Sequence, residues 1–124
     1  MDSQTTVQAL RDEARAFRDA RNWAQFHDPK NLAAALAIEA AELQEHFLWK
    51  KPEEVAALVA SPDGQRKLRE EAADVFIFLL HFAEAAGLDL SAAVREKLAN
   101  NERKYPVEKS YNSHKKYTEW QSEA

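Results

Sequence analysis

The stretches NLAAALAIEAAELQEHFLW (residues 31–49) and QRKLREEAADVFIFLLHFAEA (residues 65–85) decide how this chain is to be read. In the first, apolar residues recur at Leu32, Leu36, Leu43 and Phe47. Glu39 takes the place in that stripe where another apolar side chain belongs, and Glu42 lies one turn along beside it. In the second, the stripe runs Leu68, Val75, Phe78 or Leu79, and Phe82, and Glu71 and Asp74 repeat the intrusion. A spacing of three residues turns a helix by about 300°, so the members of each acidic pair are neighbours on one face. Both stretches therefore read as amphipathic helices whose inward faces carry carboxylates. Bare carboxylates gathered inside a bundle repel one another and lose hydration, so the pattern predicts a cation held among Glu39, Glu42, Glu71 and Asp74.

Around these helices the composition is that of an all-α chain. Alanine and leucine are abundant, and the two glycines and four prolines fall where the helical pattern breaks. A first helix is expected over about 5–21 and a loop over 22–28, with Pro29 in the first turn of a second helix that runs to Trp49. Pro52 opens a short helical piece to Ala60, and Ser61-Pro62-Asp63-Gly64 reads as a turn into the third long helix. Gly87 is its expected C-terminal cap, and Asp89 or Ser91 caps a last helix that runs to about Lys104 before Pro106 stops it. The run VFIFLL (75–80) is apolar around the whole helix circumference, which in a chain of 124 residues favours burial against another subunit.

Charge and composition exclude several classes. A net charge of −4 argues against a broad nucleic-acid surface, which relies on many basic contacts to phosphate. The absence of cysteine removes disulfides and thiolate metal sites and is compatible with a reducing cytoplasm. No apolar leader is visible near the N-terminus, and the longest apolar run, Val75 to Leu80, is too short to cross a bilayer, so no membrane partner is expected. No Gly-x-Ser-x-Gly or glycine-rich phosphate loop is present to support covalent or P-loop chemistry.

Oxygen-only ligands suit Mg²⁺, with Mn²⁺ as a substitute. A ferritin-like di-iron site uses Glu-x-x-His pairs, and neither Glu39 nor Glu71 has a His three residues on; His46 and His81, which follow the acidic motifs, keep iron as a minor alternative. Mg²⁺ keeps coordination positions open for water and phosphate oxygens, so the acids imply a phosphate substrate. Trp23 and Trp49 bracket the second helix and, with Phe26 and His27, are either packing anchors or a platform for a base. From Lys30 to Trp49 that helix would span about 28 Å at about 1.5 Å per residue, so a pocket using both rings should draw them from different subunits. Asn101 lies on the stripe Val94, Leu98, Asn101, Tyr105, with Lys97 one turn earlier and Lys104 nearby; it is either an interface amide or a phosphate contact.

The pattern Glu39-x-x-Glu42 followed by Glu71-x-x-Asp74 resembles the metal motif of the MazG-like, all-α nucleoside triphosphate pyrophosphohydrolases. The stretch RDARNWAQFHDPKNLAAALAIEAAELQEHFLWK (18–50) is similar to the corresponding region of the dCTP pyrophosphatase branch, and LANNERKYPVEKS (98–110) with KYTEW (116–120) to its C-terminal portion. The resemblance implies a helical bundle completed by dimerisation, often as a dimer of dimers, that binds Mg²⁺ and cleaves a nucleoside triphosphate between its α and β phosphates. It implies Glu39, Glu42, Glu71 and Asp74 as the catalytic metal ligands. Trp23, Gln25, Phe26, His27 and Trp49 would form the base pocket, and Lys97, Asn101 and Lys104 would lie at the phosphates. Glu42 and Glu45 both remain open as the general base, as does a metal-bound hydroxide formed without one. Residues 1–106 would be the pyrophosphohydrolase domain and 107–124 a polar tail, partly ordered or packed on a partner subunit. The expected setting is cytoplasmic clearance of nucleotides from the pool, with dCTP or a modified dCTP as substrate. The branch carries a His at the position of Ala14 and a Tyr at that of Phe78, so strict cytosine selectivity does not carry over. A non-catalytic nucleotide- or metal-binding scaffold is the alternative that the same residues allow.

Overall fold

Local chemistry starts and stops the helices. In the computed structural model, which describes residues 1–121, Thr6 caps α1 (Val7–Ala20) by accepting from the Ala9 N–H at 3.0 Å. Asp28 caps α2 (Pro29–Glu45) through the Asn31 N–H at 2.8 Å, with Pro29 in the first turn as expected. After α3 (Pro52–Ala60) comes the long α4 (Pro62–Ala86), closed by Gly87 in the left-handed conformation at φ 68°. There the Leu88 N–H reaches back to the Ala83 carbonyl at 2.8 Å, the long bond of a glycine-terminated helix end. Asp89, and not Ser91, caps α5 (Leu90–Lys104). Among the described residues every regular element is helical.

Three boundaries differ from the sequence reading. The segment 22–28 is not all loop: a 3₁₀ turn occupies Trp23–Phe26. α2 stops at Glu45 and does not reach Trp49, because the N–H groups of His46, Phe47 and Leu48 bond back three residues, tightening the chain until Trp49 turns left-handed at φ 63°. Ser61-Pro62-Asp63-Gly64 is not a free turn but the cap and first turn of α4. Ser61 Oγ accepts from the Gly64 N–H at 3.0 Å and donates to the Leu58 carbonyl at 3.2 Å, which joins α3 to α4 with no intervening loop.

That junction depends on glycine. A Cβ on Gly64 would lie 1.8 Å from the Leu58 carbonyl oxygen, and backbone must move to admit it. Gly64→Ala is therefore expected to destabilise the protein by about 1–3 kcal/mol, seen as a lowered denaturation midpoint. An unchanged midpoint would show that α3 and α4 can separate at no cost.

The described chain forms two compact units, divided after Leu88. In the first, α2 and α4 make the most extensive helix pairing, and α1 and α3 pack on α4. The fully buried apolar core is thin: Leu32 at 2% exposure, Leu80 and Ala83. The apolar run of α4 is not covered all round, since Phe76 and Ile77 remain 39% and 41% exposed. In the second unit, the segment after Pro106 forms two short helices, α6 (Val107–Ser110) and α7 (Tyr117–Gln121). There Tyr105 meets the rings of Tyr117 and Trp120 edge-on, with centroids 6.2 and 5.7 Å apart. The last three positions of the expected tail, 122–124, lie outside the described residues. No single helix among the described residues is long and apolar enough to cross a membrane.

Candidate active site

Pairing of α2 with α4 brings the two acidic motifs together. Carboxylate oxygens of Glu39 and Glu42 from α2 and Glu71 from α4 lie within 4.8 Å of one another. Glu39 is half-buried, as its place in the apolar stripe predicts, and Glu42 is exposed. Desolvation raises the Glu39 carboxyl above the usual carboxylate range, reinforced by the hydrogen bond and charge of Glu42 and by the charges of Asp74 and Glu71. Within this unit no lysine or arginine among the described residues forms an ion pair with any of the four acids. A cluster of oxygen donors, crowded and without a protein cation, fits a hard divalent ion such as Mg²⁺ or Mn²⁺.

Among the described residues of this unit, the basic group that touches the cluster is a histidine. His46, at the end of α2, sets Nε2 3.2 Å from Glu71 Oε1 and so steadies that carboxylate from behind. Its place one helical turn beyond Glu42 is the signal in the sequence that points to this contact.

Asp74 carries the site toward a cavity of about 910 Å³ whose wall it shares with Trp23, Phe26 and His27. Asn22 makes the approach to this wall possible by adopting the left-handed conformation before the 3₁₀ turn. Trp23 packs edge-on to Phe17 with centroids 5.9 Å apart, and the Arg21 guanidinium stacks 3.5 Å over the Phe17 ring. Phe17, Ile77 and His81 also line the cavity and were not singled out as pocket residues in the sequence. They sit on α1 and α4, and only the packing of those helices turns them toward one space. His27 and His81 meet edge-on with centroids 4.6 Å apart.

The remaining expected residues are placed differently. The Gln25 side chain donates to the Asn22 carbonyl at 3.0 Å and is not on the cavity wall. Trp49 is 91% exposed and is also absent from the wall. Lys97, Asn101 and Lys104 lie on α5 in the second unit, Lys104 with its ammonium 4.9 Å from the centre of the Tyr117 ring. Glu45 is exposed and outside the carboxylate cluster, and His81 packs on His27 rather than on the acids, which leaves the clustered donors all oxygen.

Comparison with known proteins identifies the family. The profile of the MazG-like family matches residues 34–120. The chain is 40% identical over 117 residues to dCTP pyrophosphatase 1 of Bos taurus, covering 94% of this chain and 69% of that protein. It is 40% identical over 114 residues to the Homo sapiens protein of the same name, covering 92% and 67%. A crystal structure of a pyrophosphatase from Archaeoglobus fulgidus matches with a TM-score of 0.73 and 42% identity, over 80% of this chain and 91% of that one. Fold, carboxylate cluster and relatives together define an all-helical enzyme of the nucleotide pyrophosphohydrolase class. The chain belongs to the MazG-like family, in the branch that holds the dCTP pyrophosphatases.

Proposed function

We propose that the protein is a Mg²⁺-dependent hydrolase of free (deoxy)nucleoside triphosphates, with dCTP or a modified dCTP as substrate. It releases monophosphate and pyrophosphate and acts in the cytoplasm to clear unwanted nucleotides. The observation that carries this reading is Asp74, which acts electrostatically on the carboxylate cluster and also forms part of the cavity wall beside Trp23 and His27. A triphosphate held at the acids would thereby present its base to the cavity.

Glu39, Glu42, Glu71 and Asp74 hold the ion. The chemistry that Mg²⁺ supplies when bound is charge neutralisation and Lewis acidity toward the triphosphate. Glu42, the exposed member of the cluster, takes a proton from the water that attacks the α phosphorus, and pyrophosphate leaves in line. Trp23, Phe26 and His27 hold the base; Gln25, hydrogen-bonded to the loop backbone, supports their turn. Lys97, Asn101 and Lys104 neutralise phosphate oxygens. Trp49 completes the base pocket of a neighbouring subunit, a role that its exposure supports. A homodimer, or a dimer of such dimers, also accounts for the thin core and the exposed Phe76 and Ile77. In this reading residues 1–106 form the catalytic domain and 107–124 an appended tail.

Incubating the purified protein and Mg²⁺ with NTPs, dNTPs and 5-modified dCTPs is expected to give monophosphate and pyrophosphate, with a cytosine nucleotide among the best substrates. Orthophosphate as the product would overturn the cleavage position. Binding without turnover would instead mark a scaffold in which the acids only hold an ion.

A further inference from the structure

A base has apolar faces and a polar edge, and an edge buried without partners costs about 1–3 kcal/mol for each unsatisfied group. Most of the cavity wall cannot supply such partners. Ala14 and Phe78 both line it and offer no side-chain hydrogen bond. Besides the indole N–H of Trp23, the polar side chains on the wall are Glu13, His27, Asp74 and His81, and Asp74 belongs to the acidic centre.

His81 stands apart from the other three. It is 6% exposed, the only buried polar or charged side chain among the described residues, and it lies one turn beyond Phe78 on α4. Its contacts are rings: His27 at 4.6 Å and Phe78 at 6.3 Å between centroids. Its nitrogens take no hydrogen bond from any described residue. Those nitrogens are not fully enclosed, whereas His27 Nδ1 is buried without a partner among the described residues. Buried polar groups are paired in nearly all folded proteins, so a buried unpaired His27 nitrogen beside an unbonded, incompletely enclosed His81 ring on a cavity wall marks a place where a ligand supplies the missing partner.

Resting on the pyrophosphohydrolase reading above, we propose that His81 is a specificity-determining residue whose imidazole, held against His27, hydrogen-bonds the edge of the nucleobase in the cavity. The pair works in its neutral form. Burial lowers the proton affinity of both rings; the neighbouring His27 and then Arg18 add to this at His81, and Glu84 acts in the opposite direction. A neutral imidazole presents one donor and one acceptor. His81 therefore favours a base whose edge meets the nitrogen it presents over one whose edge does not.

The test compares wild type with His81→Leu and His81→Gln, using kcat and KM for dCTP, dTTP and dUTP and the affinity for their non-hydrolysable α,β-imido analogues. His81→Leu is expected to raise KM for the best nucleotide about tenfold and to compress the ratios among bases, with kcat changed by less than about threefold. His81→Gln should recover part of the discrimination. Unchanged KM and base ratios in a folded His81→Leu protein would overturn the proposal and leave His81 a packing residue. Should His81→Leu not fold, the wild-type protein with ¹⁵N-labelled histidine still decides: imidazole nitrogens that shift on saturation with the analogue support the contact, and unmoved ones refute it. If wild type hydrolyses nothing, the enzymatic reading fails while analogue affinity still tests His81; equal affinity in His81→Leu, or no binding at all, overturns the proposal.

Discussion

Glu39→Gln is expected to abolish turnover while making the metal-free protein more stable. The two effects have one cause. Glu39 sits half-buried with its oxygens within 4.8 Å of those of Glu42 and Glu71, and its carboxyl is held above the usual range by desolvation and by its acidic neighbours. A raised folded-state pKa means that ionised Glu39 costs stability near neutral pH, and that the cost is relieved as pH falls through its folded value. Glutamine keeps the shape and removes the charge. The same substitution deletes a proposed ion ligand; indirect partners of metal ligands already cost about 10–100-fold in affinity or activity, so a direct ligand should cost at least about 100-fold. Thermal unfolding in chelator and in Mg²⁺, with pyrophosphate release measured alongside, checks both. Wild type should gain more from Mg²⁺ than the variant does, and near-normal turnover with no gain in metal-free stability would remove Glu39 from the site.

Much of this centre was legible because its signal is a violation of periodicity. Acids in the places of apolar residues at helical spacing can be seen in the sequence, and the burial of Leu32, Leu36, Leu43 and Phe47 around Glu39 follows that stripe. Caps were legible for a similar reason, since Asp28, Gly87 and Asp89 act on backbone within a few residues of themselves. Misreadings arose where a distant contact decides the local outcome. Ser-Pro-Asp-Gly carries the chemistry of a turn and equally that of a cap followed by proline, and what selects the cap is the approach of Gly64 to the Leu58 carbonyl. No glycine or proline announces the end of α2, whose last turn tightens through bonds three residues back. His81 was read only as a minor candidate iron ligand, because the cavity it faces exists only once α1 lies against α4.

Glu84→Ala should be the most damaging substitution outside the acidic cluster, through the attachment of α1. Glu84 on α4 accepts from Arg15 Nε at 2.9 Å and from a second Arg15 nitrogen at 3.0 Å, and Arg11 donates to it at 3.0 Å while also reaching the Leu88 carbonyl. Alanine leaves two guanidiniums without their carboxylate, one of them the largely buried Arg11. Removing one partner of a buried pair costs about 3–5 kcal/mol; with Arg15 and Glu84 partly solvated here, a loss of about 2–3 kcal/mol is expected. Glu84 titrates at about 2, lowered from 4.5 chiefly by its hydrogen bonds to Arg15 and then to Arg11. Because the folded value is depressed, its stabilisation is complete above about 4.5 and is lost as pH falls toward about 2. The stability gap between wild type and Glu84→Ala, read from urea unfolding, should therefore be wide near neutral pH and narrower near about pH 3, where titration of the other acids is common to both proteins and cancels. A gap of constant size would mean that the loss comes from packing and not from the ion pairs. The effect reaches the site because α1 carries Leu10, Ala14 and Phe17 on the cavity wall. A loosened α1 widens the space against His27 and His81, so KM for the nucleotide should rise in Glu84→Ala even though Glu84 does not line the cavity.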